Sequence, residues 1–344
     1  MPSIGGLFFI LAQFLSVQPH DIQNNVKFAA ELSHQISKEH PNGNFVFSPV
    51  SLEIVVAAIL SGTRGNTNKQ IKLYIFNKQD HILNNYVESL IKSLETSKTD
   101  RTTLKYTTVL ALDEMFPVRE QFKRRARKYF PSGKVLQMNF DINGAKAAAE
   151  INGIVANTTE NKIQDLIPSG SLGSHTPMVL VNALYLKADF EKEFTQILGG
   201  KFYDSKNQSH DVVFLQDQFE NLPYYQNEDV KMIRLPFANK HIHLYIATGT
   251  SNNIEETKID IGNAIRLTFS KDVKFQNRNV DVRLPKLVMS FSAKEMVRHF
   301  QMLNVTDLFD KSRANFGGLL QKTGQKVAVS NIRHKAFIEM CTKV

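Results

Sequence analysis

Residues 179–186 are the stretch of this sequence that most constrains its fold. They read Val-Leu-Val-Asn-Ala-Leu-Tyr-Leu, a largely apolar run with Asn182 inside it. An apolar run without alternation is typical of a β-strand that is covered on both faces. We therefore expect this strand inside a sheet with a packed layer on each side. A buried asparagine needs hydrogen-bond partners there.

Helical and strand patterns follow one another along the chain. Apolar residues recur at helical spacing over residues 26–37, 50–60, 67–75, 82–94, 120–130 and 145–160. Strand-like composition covers residues 45–47, 103–112, 212–215, 230–235, 241–248, 280–284 and 327–330. Helices first and mostly strands afterwards indicate the α+β class, with helices on mixed and antiparallel sheets.

Composition indicates an ordinary globular protein. The 344 residues are 42% hydrophobic and 22% charged, and the net charge of +9 favours anionic partners only weakly. Cys341 is the one cysteine, which excludes an intramolecular disulfide. Since no linker or repeat divides the chain, we expect residues 20–344 to form a single domain and to be monomeric.

The N-terminus predicts secretion. Residues 4–17 form an apolar run that is too short for a membrane span and suits the core of a signal peptide over residues 1–19. A buried N-terminal helix is the alternative, and because cysteine is scarce a cytoplasmic location is the alternative to the extracellular one. Three Asn-x-Ser/Thr sequences are candidate glycosylation sites: Asn157, Asn207 and Asn304.

Motifs of catalysis and metal binding are absent from the sequence. It contains none of the zinc-protease, Cys-x-x-Cys, Gly-x-Ser-x-Gly or phosphate-loop patterns. We therefore expect neither an enzyme nor a metal or cofactor, and no nucleic-acid or membrane partner.

Seven segments carry recognisable motifs: residues 44–51, 61–67, 151–163, 180–194, 235–237, 284–286 and 305–309. They resemble landmarks of the serpins, a family of conformational protease inhibitors, and they follow the family's order. Each is weak alone, but together they cover most of the chain. The resemblance implies the serpin fold and inhibition of a serine or cysteine protease, whose cleaved bait loop inserts into a sheet.

The resemblance also implies a site. Serpins place four polar residues under the centre of the large sheet, at the positions of Ser48, Ser51, Asn182 and His334. This network, called the shutter, holds two strands together and gates the insertion of the loop. Phe190 lies where the loop first enters the sheet, at a position the family usually gives to tryptophan, and this chain has none.

The last residues depart from the family pattern. The sequence ends at Val344, where the family's hinge and bait loop would follow. We therefore expect the reactive bond to lie beyond Val344, the C-terminal strands to be missing, and these 344 residues by themselves not to inhibit. The alternative function is that of a binding or regulatory protein that recognises a protein or a polyanion.

One short predicted helix is strongly basic. If Phe122, Ala126 and Tyr129 face inward, its basic side chains face outward. Such a patch is the footprint of a site for sulfated glycans, although a solvated charged face is the more common case. The candidate residues are Arg119, Lys123, Arg124, Arg125, Arg127 and Lys128.

Overall fold

Two β-sheets organise the chain. The computed structural model describes residues 8–11, 19–41, 43–76, 80–129, 133–204, 208–250, 260–294, 296–322 and 324–342, without the side chains of 8–11, 19–25, 80–82 and 128–129. Its strands are Phe8–Leu11 (β1), Thr102–Asp113 (β2), Lys134–Met138 (β3), Met178–Asp189 (β4), Thr195–Tyr203 (β5), Ser209–Gln226 (β6), Val230–Pro236 (β7), His243–Gly249 (β8), Gln276–Pro285 (β9), Val288–Ala293 (β10) and Asn331–Cys341 (β11).

Most of the described helices lie in the N-terminal half of the chain. They are Pro19–Glu39 (α1), Pro49–Leu60 (α2), Gly65–Ile71 (α3), Asp80–Thr96 (α4), Glu120–Tyr129 (α5), Phe140–Thr158 (α6), Ile261–Thr268 (α7) and Met296–Met302 (α8). The α+β prediction is thus confirmed. Among the described residues, no helix is both long and apolar enough to cross a bilayer.

The first sheet has the strand order β10-β11-β4-β2-β3. At its centre β11 and β4 run parallel, and each has an antiparallel neighbour on its other side, β10 and β2 respectively. The β4–β11 register pairs Asn331 with Val179 at one end and Cys341 with Asp189 at the other. We call this parallel contact the central seam.

Strand β4 is covered on both faces, as its composition predicts. Nine consecutive residues from Met178 to Leu186 are buried. One face packs on the main core around α2, and the other packs on α6 and the segment after it. Helix α2 is buried from Ser51 to Leu60, so its apolar character on all sides corresponds to a central position.

The second sheet has the order β1-β8-β7-β6-β5, with β9 paired to β6. Helices α1 and α7 lie against it through a separate apolar cluster that includes Ala30, Tyr245 and Ile265. Phe8–Leu11 pairs with β8 as a strand, so the alternative of an N-terminal helix is wrong for these four residues. The signal-peptide prediction stays a prediction.

Two short strand predictions are wrong. Residues 45–47 and 327–330 are irregular, although Phe45 stacks on Phe47 and residues 327–329 are buried. The Ser330 N–H donates to Met178 O at 2.8 Å, but the regular β-ladder begins only with the next residue, Asn331. Both segments are apolar because they pack under the sheets. Composition alone does not distinguish such packing from pairing in a β-strand.

One helix prediction is also corrected. Residues 67–75 do not form one α-helix, because α3 ends at Ile71 and the chain continues as the π-helical turn Lys72–Phe76. The wider turn brings Ile75 and Phe76 into the core. Tertiary packing decides this change of winding, since the helical spacing of apolar residues continues through it.

Candidate functional site

The side chains predicted to lie together occupy one row of the first sheet. In the register, His334 of β11 lies opposite Asn182 of β4, and Asn182 lies opposite Thr108 of β2. Asn182 and His334 are fully buried and Thr108 is 3% exposed. Because side chains alternate along strands, all three point to the same face of the sheet, toward α2.

The N-terminus of α2 meets this row. Ser48 has an extended backbone and caps the helix, its hydroxyl accepting the Ser51 N–H, and Pro49 occupies the first turn. The Ser48 N–H donates to His334 Nε2 at 3.0 Å. The Ser51 hydroxyl donates to Asn182 Oδ1 at 2.8 Å. The Ser-Pro helix start thereby attaches α2 to both strands of the central seam.

These contacts fix the state of the histidine. Since His334 Nε2 accepts a backbone N–H, the ring proton resides on Nδ1. Nδ1 then donates to Asn182 Oδ1 at 2.7 Å, directly across the central seam. Burial lowers the pKa of His334 to about 3, so the ring is neutral at physiological pH.

The arrangement differs from the expected one in two respects. Ser48 contributes its backbone N–H and a helix cap, and its hydroxyl has no described contact with Asn182 or His334. Thr108 is a member that sequence reasoning missed, and its hydroxyl accepts from Asn182 Nδ2 at 3.1 Å. Only the pairing register of β2 with β4 identifies Thr108, and a single sequence does not give that register. We call Ser48, Ser51, Thr108, Asn182 and His334 the seam network.

Phe190 lies at the other end of the central seam, just beyond β4. Its N–H donates to Cys341 O at 3.2 Å, and its ring stacks on Phe237 with centroids 5.0 Å apart. Phe194 packs on it edge-on at 4.9 Å. Phenylalanine thus fills this position by aromatic packing, without the N–H donor of a tryptophan.

The segment after α6 holds the seam from the opposite face. Lys162 Nζ lies 3.3 Å from Glu339 Oε2, and Lys335 Nζ donates to Gln164 O at 3.2 Å. Both contacts join β11 to a loop that precedes β4 in the chain. Parting of the two central strands therefore requires this loop to release β11 as well.

The basic helix α5 exposes fewer cations than its sequence suggests. Arg124 and Arg127 are exposed, whereas Lys123 pairs with Glu120 at 2.8 Å. Arg119 and Arg125 are partly buried, and Arg119 Nε donates to Leu320 O at 2.6 Å. Arg119, Lys123 and Arg125 are thus less exposed than the predicted outward face implies, and Arg119 anchors the loop before the helix.

Other candidate residues of α5 and the glycosylation sequences are placed as follows. Phe122 and Ala126 are buried as predicted, while the side chains of Lys128 and Tyr129 lie outside the described part. Asn157 and Asn304 are exposed, and Asn207 lies outside the described residues. Across the described ranges, no cluster of His, Cys, Asp and Glu has the proximity needed to hold a metal ion.

Comparison with known proteins identifies the family. The family model "Serpin (serine protease inhibitor)" matches residues 23–343. An uncharacterized serpin-like protein of Methanosarcina acetivorans is 28% identical over 95% of this chain and 76% of its own length. The leukocyte elastase inhibitor of Equus caballus is 26% identical over 92% of this chain and 84% of its own length. The chain belongs to the serpin family.

Solved structures agree on the fold. Uncleaved ovalbumin superimposes with a TM-score of 0.81 at 21% identity, over 93% of this chain and 86% of ovalbumin. Native protease nexin-1 with heparin superimposes with a TM-score of 0.80 at 22% identity, over 95% of this chain and 89% of that protein. The serpin fold predicted from the sequence motifs is thus confirmed.

Proposed function

We propose that this protein is the scaffold of a serine protease inhibitor whose central seam opens to accept a further β-strand. The observation that carries the proposal is the parallel β4–β11 pair at the centre of the first sheet, joined across the seam by the Asn182–His334 hydrogen bond. Membership in a family of protease inhibitors and the likeness to an elastase inhibitor support the same function.

The strand directions favour such an insertion. β4 and β11 run the same way, so a strand inserted antiparallel to one is antiparallel to the other. One parallel ladder is then replaced by two antiparallel ladders, and antiparallel pairing is slightly more stable per residue. The flanking pairs β10–β11 and β2–β4 are already antiparallel and need no change of register.

The seam network acts as the latch in this proposal. Opening the seam breaks the Asn182–His334 contact, while Asn182 keeps Thr108 on β2 and His334 keeps the Ser48 N–H. Asn182 and His334 therefore each keep a hydrogen bond when the strands separate, and only the His334 Nδ1–H loses its acceptor. The cost of opening at this point is about 1–3 kcal/mol, the penalty of one unpaired buried donor.

A protease of the serine class is the proposed target, with a cysteine protease as the family's other possibility. The expectation that residues 1–344 alone do not trap a protease stays a prediction. Secretion, and glycosylation at Asn157, Asn207 and Asn304, are proposals that rest on the sequence patterns. A test of the seam does not depend on these points if the inserting strand is supplied as a peptide.

Adding a 12-residue peptide of alternating alanine and threonine is expected to raise the thermal unfolding midpoint by roughly 5 °C or more, because a ligand that binds only the folded state stabilises it. The alternation lets small side chains fit both the α2 face and the α6 face of the sheet. Differential scanning calorimetry after prolonged incubation measures the shift.

The matched control is a peptide of the same composition whose sequence repeats every four residues instead of every two. It should not shift the thermal unfolding midpoint. An equal effect of both peptides would contradict strand insertion, and so would no effect of either. The variant Asn182→Ala should take up the alternating peptide faster, because it lacks the latch across the seam.

A second candidate function is binding of a polyanion by α5. Arg124 and Arg127 are exposed, and no ion pair engages them among the described residues. The pKa of Glu120 is lowered, first by the hydrogen bond from Lys123 and also by the charges of Arg127 and Arg124. The helix surface is therefore electropositive, and a similar structure was solved with heparin.

The double variant Arg124→Glu/Arg127→Glu is expected to bind heparin about tenfold more weakly, because it loses two exposed attractions and gains two repulsions. Elution from a heparin column in a salt gradient measures this. The variant Lys271→Glu/Lys274→Glu changes the net charge equally at another exposed site. Equal weakening by both pairs would show a general charge effect and contradict a site on α5.

A further inference from the structure

Two aromatic rings meet across the central seam, on the α6 face of the sheet. Tyr185 of β4 lies directly opposite Phe337 of β11, and their ring centroids are 5.7 Å apart with an interplanar angle of 77°. Tyr185 is buried and Phe337 is partly buried. Because side chains alternate along each strand, the seam network points to the other face. The aromatic pair thus joins the two strands through contacts that the seam network does not share.

Lys162, in the segment after α6, lies over both rings. Its Nζ is 5.9 Å from the ring centroid of Tyr185 and 5.6 Å from that of Phe337, within the range of a cation–π contact. The same Nζ donates to Glu339 Oε2 at 3.3 Å. One side chain of this segment therefore contacts β4 through Tyr185 and β11 through Phe337 and Glu339.

The ionisation of this cluster favours the same contacts. Burial works against the charge of Glu339, but the hydrogen bond and charge of Lys162, together with the charge of Lys187, lower the pKa of its carboxyl. Burial and the charge of Glu339 raise the pKa of Tyr185 to about 12. The Tyr185 hydroxyl thus remains a donor toward Glu339 Oε2, 3.5 Å away. At neutral pH the Glu339 carboxylate is ionised and holds the ammonium group of Lys162.

The position of the cluster along the seam determines when it would break. The ladder places the Tyr185–Phe337 pair between the Asn182–His334 pair and the end marked by Phe190. A strand that enters at the Phe190 end therefore reaches the cluster before it reaches the seam network. Insertion moves β4 and β11 apart by about 4.8 Å, the spacing of neighbouring strands. The edge-to-face contact across the seam does not survive such a separation.

We propose that Lys162, Tyr185, Phe337 and Glu339 form an aromatic clamp that sets the rate at which the central seam opens from the Phe190 end. The inference rests on the proposed opening of the seam and adds its regulation at the surface. The side chains of Lys162 and Glu339 are 39% and 19% exposed, so salt weakens their attraction. The hydrogen bond at the centre of the seam network is buried and neutral, so salt has little effect on it.

Hydrogen–deuterium exchange of the full chain, without added peptide, measures opening of the seam. The variant Lys162→Met keeps most of the aliphatic stem and removes the charge. It should speed exchange of the backbone amides of residues 183–188 and 336–341 by about tenfold, because one partly exposed ion pair and the cation–π contacts are lost. Exchange in β8 should stay unchanged, because that strand belongs to the other sheet.

Lys105→Met is the matched control and should leave exchange at the seam unchanged. Lys105 lies opposite Tyr185 on β2, and its Nζ is 3.5 Å from Glu160 Oε1, so it also pairs with the segment after α6. It does not span the seam, because β2 lies on the other side of β4. Glu339→Gln keeps the shape of the side chain and removes its charge. It should speed exchange in the same two segments, which keeps the test decisive if Lys162→Met does not fold.

Salt provides a readout that a purely structural role would not change. The ratio of the exchange rates of Lys162→Met and wild type should fall as sodium chloride is raised from about 50 mM to about 1 M, because screening weakens the clamp of the wild type. A ratio near one at low salt would overturn the clamp, and so would a ratio that is independent of salt. Equal acceleration by Lys105→Met, or equal acceleration in β8, would show a general loss of stability and would also overturn it.

The clamp and the proposed function fail in different ways. If the seam does not accept a strand, the alternating peptide does not stabilise the wild type, whereas Lys162→Met still speeds exchange. If the clamp is wrong, the peptide stabilises the wild type, but Lys162→Met neither exchanges faster nor takes up the peptide faster. Exchange and calorimetry on the same two proteins therefore separate the two failures.

Discussion

Replacing Asn182 with alanine is expected to lower the free energy of unfolding by about 4 kcal/mol, because it removes the centre of a buried network. Its amide accepts from Ser51 and His334 and donates to Thr108. After the substitution the His334 Nδ1–H has lost its acceptor in a site without solvent access. Equilibrium unfolding in urea, followed by circular dichroism, measures the loss.

Asn152→Ala is the matched control. This asparagine makes two hydrogen bonds, both with the backbone of Ile167, and it is only partly buried. Its loss should cost about 1.5 kcal/mol, since water reaches the remaining groups more easily. If Asn182→Ala costs no more than Asn152→Ala, the seam network does not contribute to stability in the way that its geometry indicates.

Stability is expected to fall with acid through His334. Burial lowers the pKa of His334 from 6.5 to about 3 in the folded protein, so in the window between these values only the unfolded chain binds the proton. Its contribution is complete above pH 6.5 and is lost as the pH falls toward 3. Because proton binding is linked to unfolding, the free energy of unfolding should fall by about 1.4 kcal/mol per pH unit within this window. Between pH 6.5 and 4.5 the fall should be about 2 kcal/mol.

The variant His334→Gln isolates this contribution, because other groups also titrate in the same window. Among them, burial and the charge of Arg234 lower the pKa of His243. The free energy of unfolding is measured against pH for both proteins. Between pH 4 and 6 the free energy of unfolding should rise with pH more steeply in the wild type than in the variant. The difference in slope should correspond to about one bound proton. Parallel curves would mean that His334 is protonated in the folded state and that the assigned tautomer is wrong.

The sequence predicted the elements that are buried on all sides. The apolar runs of β4 and α2 correspond to a strand and a helix at the centre of the molecule. The composition of a segment indicates whether it is buried, because a position without solvent access excludes most polar residues. Ser48, Ser51, Asn182 and His334 were identified from the resemblance to the family, which places four polar residues at these positions.

Pairing and local winding could not be predicted in the same way. Residues 327–329 are apolar and buried like a strand, yet the ladder begins only at Asn331. Thr108 entered the seam network through the register of β2 on β4, across 74 residues of sequence. The neighbours of Arg119 and Arg125 likewise depend on how α5 docks. Each outcome is a contact between distant segments, which local patterns do not encode.

By itself the sequence determined that β4 and α2 lie in the interior and which motifs accompany them, since the cost of burying polar groups restricts composition position by position. The tertiary structure alone decided that His334 stands opposite Asn182 across a parallel seam, and that Thr108 joins the same buried network. Register and docking decide such juxtapositions, because a shift of one residue would send every side chain of β11 to the opposite face.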